Sequence, residues 1–294
     1  MRYRHHAVPR LFAAGLAIAC ALPGARAQEA TVTGHVDLVS AYVLRGVTTT
    51  YGPGAPGAGN AGADAPESNR AALQWGADWS HPAGWYLGYF GAQINYSYRR
   101  LGDLYSDPAV TDFRAKKSVE NDFYGGYSGK LGDVGYTLGL TGYVYLNGPH
   151  ANALETKFGL SYGGFSAAAQ TLLDDVLWGN RGDTYWTLNY AKGLPGDFTV
   201  SASLGWYTYA KEGKYLGTFD TFNGTPCAPG SSFNVTCMPG AGPVSGAFRH
   251  LVVGVTRPIG DSGFTWGVQG IAGGENRFGV RQKHRVTASV SYGF

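Results

Sequence analysis

The chain has 294 residues, of which 44% are hydrophobic and only 15% charged, whereas a soluble domain carries about 25% charged residues. Its 46 glycines follow no Gly-X-Y period, which excludes collagen, and its 20 tyrosines outnumber 14 Phe and 7 Trp. The formal charge of +3 hides an uneven distribution. Arg2, Arg4, Arg10 and Arg26 all precede Gln28 and no acid accompanies them, so residues 28–294 hold 19 basic groups against 20 acidic ones, a net charge of −1. A basic excess confined to the first segment excludes a nucleic-acid partner as its explanation.

That first segment, residues 1–27, reads as a cleaved signal peptide. "MRYRHHAVPR" is a basic n-region, "LFAAGLAIACAL" a short apolar h-region and "ARA" a small-x-small cleavage site. The apolar run falls short of the roughly 20 residues a membrane-spanning helix needs. "AIAC" around Cys20 is a poor lipobox, because Ala17 stands where Leu is preferred.

Beyond Gln28 no run of about 18 apolar residues occurs, and period-two alternation takes over. The first strand is expected over 31–47, with Val32, Val36, Leu38, Tyr42 and Leu44 on one face and Thr33, His35, Asp37 and Arg45 on the other. Further strands are expected at 70–80, 84–98, 117–130, 134–146, 152–162, 165–173, 183–192, 197–209, 246–257, 263–272 and 283–294. In Tyr136–Leu146, Leu138, Leu140 and Val144 oppose Thr137, Thr141, Tyr143 and Tyr145. In Phe198–Tyr209, Val200, Ala202, Leu204 and Trp206 oppose Thr199, Ser201, Ser203 and Gly205. The segments Trp85–Tyr98 and Phe165–Leu173 sort either way.

Tight links such as "KLGDVG", "LPGD" and "PIGDSG" alternate with long ones at 48–69, 99–116, 174–182, 210–245 and 273–282. One face apolar, one face Ser/Thr/Gly-rich, and short turns alternating with long loops describe an all-β fold. The expectation is an antiparallel transmembrane β-barrel of about 12 strands spanning 28–294, with short periplasmic turns and long extracellular loops. Lipid offers no hydrogen bonds, so only a closed sheet leaves no strand edge unpaired. A soluble sandwich or lipocalin-like barrel would bury the apolar face instead, and periodicity alone does not say which face looks out. The number of strands, the small polar second face and the aromatic residues near strand ends favour lipid. Cys227 and Cys237, ten residues apart in a Gly/Pro-rich loop, are expected to form a disulfide in an oxidising compartment.

The motifs along these strands resemble the TorF-like family of porins, conserved Gram-negative outer-membrane β-barrel proteins. "LVSAYVLRGVTTT" is similar to the family's opening strand, "ENDFYGGYSGKLGDVGYTLGLTGYVY" to its central hairpin, and "LNYAKGLPGDFTVSASLGWY" and "DSGFTWGV" to later ones. The chain departs from the pattern at Ala41, Leu44 and Thr48–Thr49, where the family has Asp, Phe and Ser-Gln. The resemblance implies a porin-like barrel, and implies that Phe294, an aromatic residue ending the last strand, belongs to the signal read by the outer-membrane assembly machinery.

On the face assigned to water lie Asp37, Arg45, Glu120, Asp122, Glu155 and Lys157, candidate pore-lining residues, since rings of ionic side chains set selectivity in pores. The same charges also fit an electroneutral plug. Enzyme signatures are weak: there is no G-x-S-x-G elbow, P-loop or HExxH, although His250 and His284 fall near strand ends where an outer-membrane lipid-modifying enzyme would keep its base. The expected function is passive diffusion of small hydrophilic solutes across the outer membrane, with outer-membrane lipids and the assembly machinery as partners and no cofactor. A non-conducting surface protein (adhesin, receptor or scaffold) is the alternative.

Overall fold

The computed structural model describes residues 29–48, 58–59, 70–94, 111–112, 118–146, 148, 150–176, 178–214, 216–217, 226, 244–277, 279 and 281–294. The signal segment, Cys227 and Cys237 lie outside these residues, as does most of the 48–69 loop.

Twelve strands form the wall. They are β1 (Thr31–Val39), β2 (Ala72–Ser80), β3 (Trp85–Ile94), β4 (Ser118–Leu131), β5 (Val134–Tyr145) and β6 (Ala153–Tyr162), followed by β7 (Phe165–Leu172), β8 (Thr184–Leu194), β9 (Phe198–Thr208), β10 (Gly246–Pro258), β11 (Phe264–Gly273) and β12 (Arg285–Gly293). Each strand pairs antiparallel with its chain neighbours, and β1 closes the ring by pairing with β12, from His35↔Gly293 to Val39↔Ser289. Beside the ring, Ala58–Gly59 pairs with Thr111–Asp112. No helix occurs among the described residues.

Turn chemistry sets the strand order. The hairpins at Gly132–Asp133 and Gly163–Gly164 are two residues long, with Gly132 at φ 60° and Gly163 at φ 57°. A two-residue hairpin whose twist matches its strands needs such left-handed backbone, which glycine adopts without a Cβ clash. All five tight links lie at one end, together with Thr31 and Phe294, and the long connections lie at the other. An even strand count makes that arrangement possible.

The barrel is inside out compared with a soluble domain. Outward positions hold Leu138, Leu140, Leu188, Phe158 and Val253, all exposed, while Glu120 and Glu155 are 0% and 1% exposed. In water this outer belt would forgo about 25 cal/mol for every Å² of apolar surface left uncovered; in hydrocarbon it costs nothing. Rings ride at the turn end on most strands, in contact pairs such as Trp85–Tyr127 (5.2 Å between centroids), Phe165–Tyr190 (4.6 Å) and Phe264–Tyr292 (4.9 Å). Amphipathic rings of this kind settle at a membrane interface.

The main correction to the sequence reading concerns β1. It ends at Val39 rather than at 47, and residues 40–48 leave the wall for the lumen. Tyr42, expected on the outer face with Leu38, is buried inside at 2% exposure, where it joins a cluster with Ile94, Tyr143 and Leu172.

Candidate functional site

The site is the loop-end half of the lumen, built where segment 40–48 meets the wall. Ser40 marks the departure: its N–H donates to the Ala288 carbonyl (2.8 Å), and its hydroxyl accepts from the Ala288 N–H (2.9 Å). Thr48 marks the return, with its N–H on Gln282 Oε1 (2.9 Å) and its hydroxyl on the Lys283 carbonyl (2.6 Å). A ladder would need five residues to pass from Ala288 to Lys283, and the chain supplies eight between Ser40 and Thr48. The surplus projects inward. A turn from Leu44 to Val47 (3.0 Å) carries it, with Arg45 at φ 48° and Gly46 at φ 75°. Gly46 lies so close to the Arg249 carbonyl and the His250 side chain that a Cβ would meet them at 2.9 and 2.7 Å.

Arg45 is the hub. Its guanidinium forks onto Glu155, Nη1 to Oε1 at 2.9 Å and Nη2 to Oε2 at 2.6 Å. It also donates to the hydroxyls of Tyr207 (2.7 Å) and Tyr143 (2.9 Å), and its plane lies 4.6 Å from the Tyr185 ring centre. Tyr143 in turn donates to Glu155 Oε2 (2.7 Å), as does Gln170 Nε2 (3.1 Å). Burial works against the charge on Arg45, but the Glu155 carboxylate, with Tyr143 and Tyr207, outweighs it and holds the guanidinium above its ordinary pKa. Replacing a buried ion pair by apolar groups is often neutral, whereas removing one partner costs about 3–5 kcal/mol. The pair therefore positions this segment more than it stabilises the fold.

The sequence singled out six lumen residues, and all six face inward. Arg45 and Glu155 are in contact, with Lys157 two positions from Glu155 on β6. Glu120 and Asp122 sit on β4, one strand removed from β6 on the same side of the ring, and Glu120 accepts from the Tyr42 hydroxyl (2.8 Å). Asp37, on β1, pairs with His35 at 2.6 Å. Arg45 reaches the centre from the inward segment and not, as expected, from a wall strand.

Sequence reasoning put Tyr143 on the water-facing side but did not name it, Tyr185 or Tyr207 as site residues, and it missed Arg249. All three line the lumen around Arg45. Arg249 comes from a β-bulge: Gly205 faces His250 and Trp206 faces Phe248, so Arg249 is the unpaired extra residue. The bulge turns two consecutive side chains inward, both buried. Arg249 Nε then donates to the Arg45 carbonyl (3.2 Å), and His250 Nε2 meets the Tyr185 hydroxyl at 2.6 Å. An Arg-His doublet inside an otherwise alternating strand was the available signal. His250, the residue favoured for an enzymatic reading, thus faces the lumen, and His284 Nδ1 accepts from the Gly273 N–H (3.2 Å).

Above the hub the loops pack together. Arg277 pairs with Asp183 and donates to the Ala210 carbonyl (3.0 Å), while Asn180 Nδ2 donates to the carbonyls of Ala210 and Leu216 (2.9 and 3.0 Å). Below the hub, toward the turn end, the wall carries half-buried Ser128, Ser161, Ser166, Ser201 and Ser289 interspersed with glycine.

An apolar outer wall around a charged, hydroxyl-lined lumen is the architecture of a closed barrel that spans a lipid bilayer. The chain belongs to a family of bacterial proteins of unknown function (Gcw_chp), whose model matches residues 61–223. No curated protein matches it. Among solved structures it is similar to LpxR from Salmonella typhimurium (10% identity, 88% of this chain and 99% of that one, TM-score 0.42). It is also similar to outer membrane phospholipase A from Escherichia coli (11%, 88% and 92%, TM-score 0.38) and to Salmonella typhi OmpF in complex with daunomycin (8%, 90% and 97%, TM-score 0.38). At these identities the likeness extends to the barrel and not to any ligand or activity.

Proposed function

We propose that the protein is an outer-membrane channel of the porin type, similar to the TorF-like porins, through which small hydrophilic solutes diffuse passively. Residues 28–294 would reach the membrane after removal of 1–27, and the assembly machinery would insert the barrel. One observation carries this reading. Asp37, Glu120, Asp122, Glu155, Lys157 and Arg45 are all turned inward although each costs desolvation there, and an inward segment, not the wall alone, meets two of them through Arg45–Glu155 and Tyr42–Glu120. A barrel that only had to hold its shape could fill the same space with apolar side chains at no loss.

The test is conductance of the refolded mature chain in planar bilayers. Small, solute-dependent currents support the reading, and their absence from well-folded protein rejects it. A second reading, a non-conducting surface protein, has its own support in the loop cluster around Arg277 and in the apolar packing of Tyr42 with Ile94 and Leu172. The same recordings separate the two.

A further inference from the structure

We infer that the turn-end half of the lumen binds neutral saccharides, between tyrosine rings on one side and hydroxyl and amide groups on the other. The inference rests on the channel reading above and names the class of solute it takes.

The ring side is built on glycine. Tyr124 of β4 shares the inward face with Glu120 and Asp122, and Tyr86 of β3 joins it through the pairs Tyr124↔Gly88 and Tyr86↔Gly126. Tyr124 lies over Gly88, where a Cβ would meet its hydroxyl oxygen at 2.6 Å. Tyr86 lies over Gly126, at 2.7 Å from its hydroxyl oxygen to such a Cβ, and reaches Gly139 on β5. A side chain at any of these glycines would push the rings off the wall. Both rings point inward yet are only half-buried, so their remaining surface faces the lumen, whereas Glu120 and Glu155 at the hub are sealed. The Tyr124 hydroxyl donates to Asp78, itself an acceptor for solute hydroxyls, but the Tyr86 hydroxyl finds no partner among the described residues. At Tyr86 it is the ring that is placed, and not the hydroxyl. Rings also cover glycines on the outer wall, as Trp75 does over Gly91, but there the open face meets hydrocarbon. In a wet lumen an open ring face gains nothing until a solute with an apolar side covers it.

Across the ring the wall changes character. In the closed order, β9 and β10 stand farthest from β3 and β4. Here the pairs Asn189↔Ser203, Ser201↔Gly254 and Gly267↔Ser289 all face inward. Between the hub and the turns, the inward positions of β7 to β12 carry no charged and no aromatic side chain among the described residues. Serine hydroxyls and asparagine amides both donate and accept.

This division fits one solute chemistry. A pyranose offers a rigid C–H face to an aromatic ring and a rim of hydroxyls that donate and accept. A charged solute would meet few opposite charges before the hub. An apolar one would leave the serine and asparagine groups unpaired. A linear polyol has the hydroxyls without the rigid face.

Saturation-transfer NMR on the detergent-folded protein, with a glucose trisaccharide as probe, reads binding without current. Saturation should pass to the C–H protons of the trisaccharide. Tyr86→Ala and Tyr124→Ala should each weaken binding by about tenfold, the loss of one ring contact. Tyr86→Phe should change it by no more than about twofold, because the hydroxyl it removes has no partner. Tyr190→Ala on the outer wall should leave it unchanged. Sorbitol and a glucuronate trisaccharide should each bind at least about tenfold more weakly than the neutral trisaccharide. The solute comparison and Tyr86→Phe need no destabilising change, so they decide the matter even if the alanine variants fail to fold. Absence of saturation transfer from folded protein that still conducts, or equal binding of sorbitol and the trisaccharide, refutes the saccharide site and leaves the channel. Trisaccharide binding by protein that passes no current supports the site and overturns the channel reading.

Discussion

Leu204→Arg is the sharpest probe of which face meets lipid. Leu204 lies near the middle of β9, pointing outward, with Leu188 of β8 and Leu251 of β10 as its cross-strand partners. All three are exposed on the outer wall. The nearer strand end, Thr208, is four residues away, about 13 Å along the strand at ordinary rise, so a guanidinium at 204 cannot reach the interface without distorting its neighbours. Such a charge near mid-bilayer should cost about 2–4 kcal/mol of folding stability. The control is Ser201→Arg. Ser201 faces the lumen, is half-buried, and stands opposite Gly254 of β10. Ser203 is a poorer control than the sequence suggests, because at 6% exposure an arginine there would also pay for crowding. Equilibrium unfolding in lipid vesicles, followed by Trp fluorescence, measures both. Costs within about 0.5 kcal/mol of each other, the scatter of ordinary surface substitutions, would refute the facing assignment.

Three further outcomes follow from the contacts. Tyr42→Phe removes the donor to fully buried Glu120 and should destabilise the barrel by about 1–3 kcal/mol in the same unfolding assay. Asp183→Asn leaves Arg277 buried without its carboxylate and should cost about 3–5 kcal/mol locally; because that pair ties loops and not strands, the loss should show as faster proteolysis of the loop end with the barrel transition nearly unchanged. Deleting Phe294 removes the Gly34 N–H to Phe294 carbonyl and Phe294 N–H to Gly34 carbonyl bonds (2.8 and 3.0 Å) that close β1 onto the C-terminus. Insertion into vesicles should slow, and unchanged insertion kinetics would count against a role for this residue in assembly.

Most of the wall was legible because its cause is local. A strand with lipid on one side and water on the other must alternate, and the expected spans for β2 to β12 match the observed ones to within a few residues at most ends. Both strands that sorted ambiguously, β3 and β7, carry alanine, glycine or aromatic residues on both faces, so hydrophobicity gave no contrast there. The lumen was less legible. Alternation continues through Arg45, and nothing local says that a pattern fit for the wall is used elsewhere; that depends on Glu155, more than a hundred residues away. The inward tyrosines were not named as site residues for a related reason: alternation put Tyr143 on the water-facing side, but a phenol ring suits a membrane interface and a hydrogen-bonded lumen equally well, and only its partners decide. The bulge at Arg249 was hidden by an expectation of unbroken period two.

Spin labels placed one at a time along β9, from Phe198 to Thr208, test the central claim most directly. In bilayers, labels at Val200, Ala202, Leu204 and Trp206 should relax with oxygen, which collects in hydrocarbon. Labels at Thr199, Ser201 and Tyr207 should respond to a water-soluble nickel complex in its place, giving a period of two. Uniform accessibility, or the opposite phase with the leucine side reporting a sealed interior, would contradict a lipid-facing outer wall and the channel built on it.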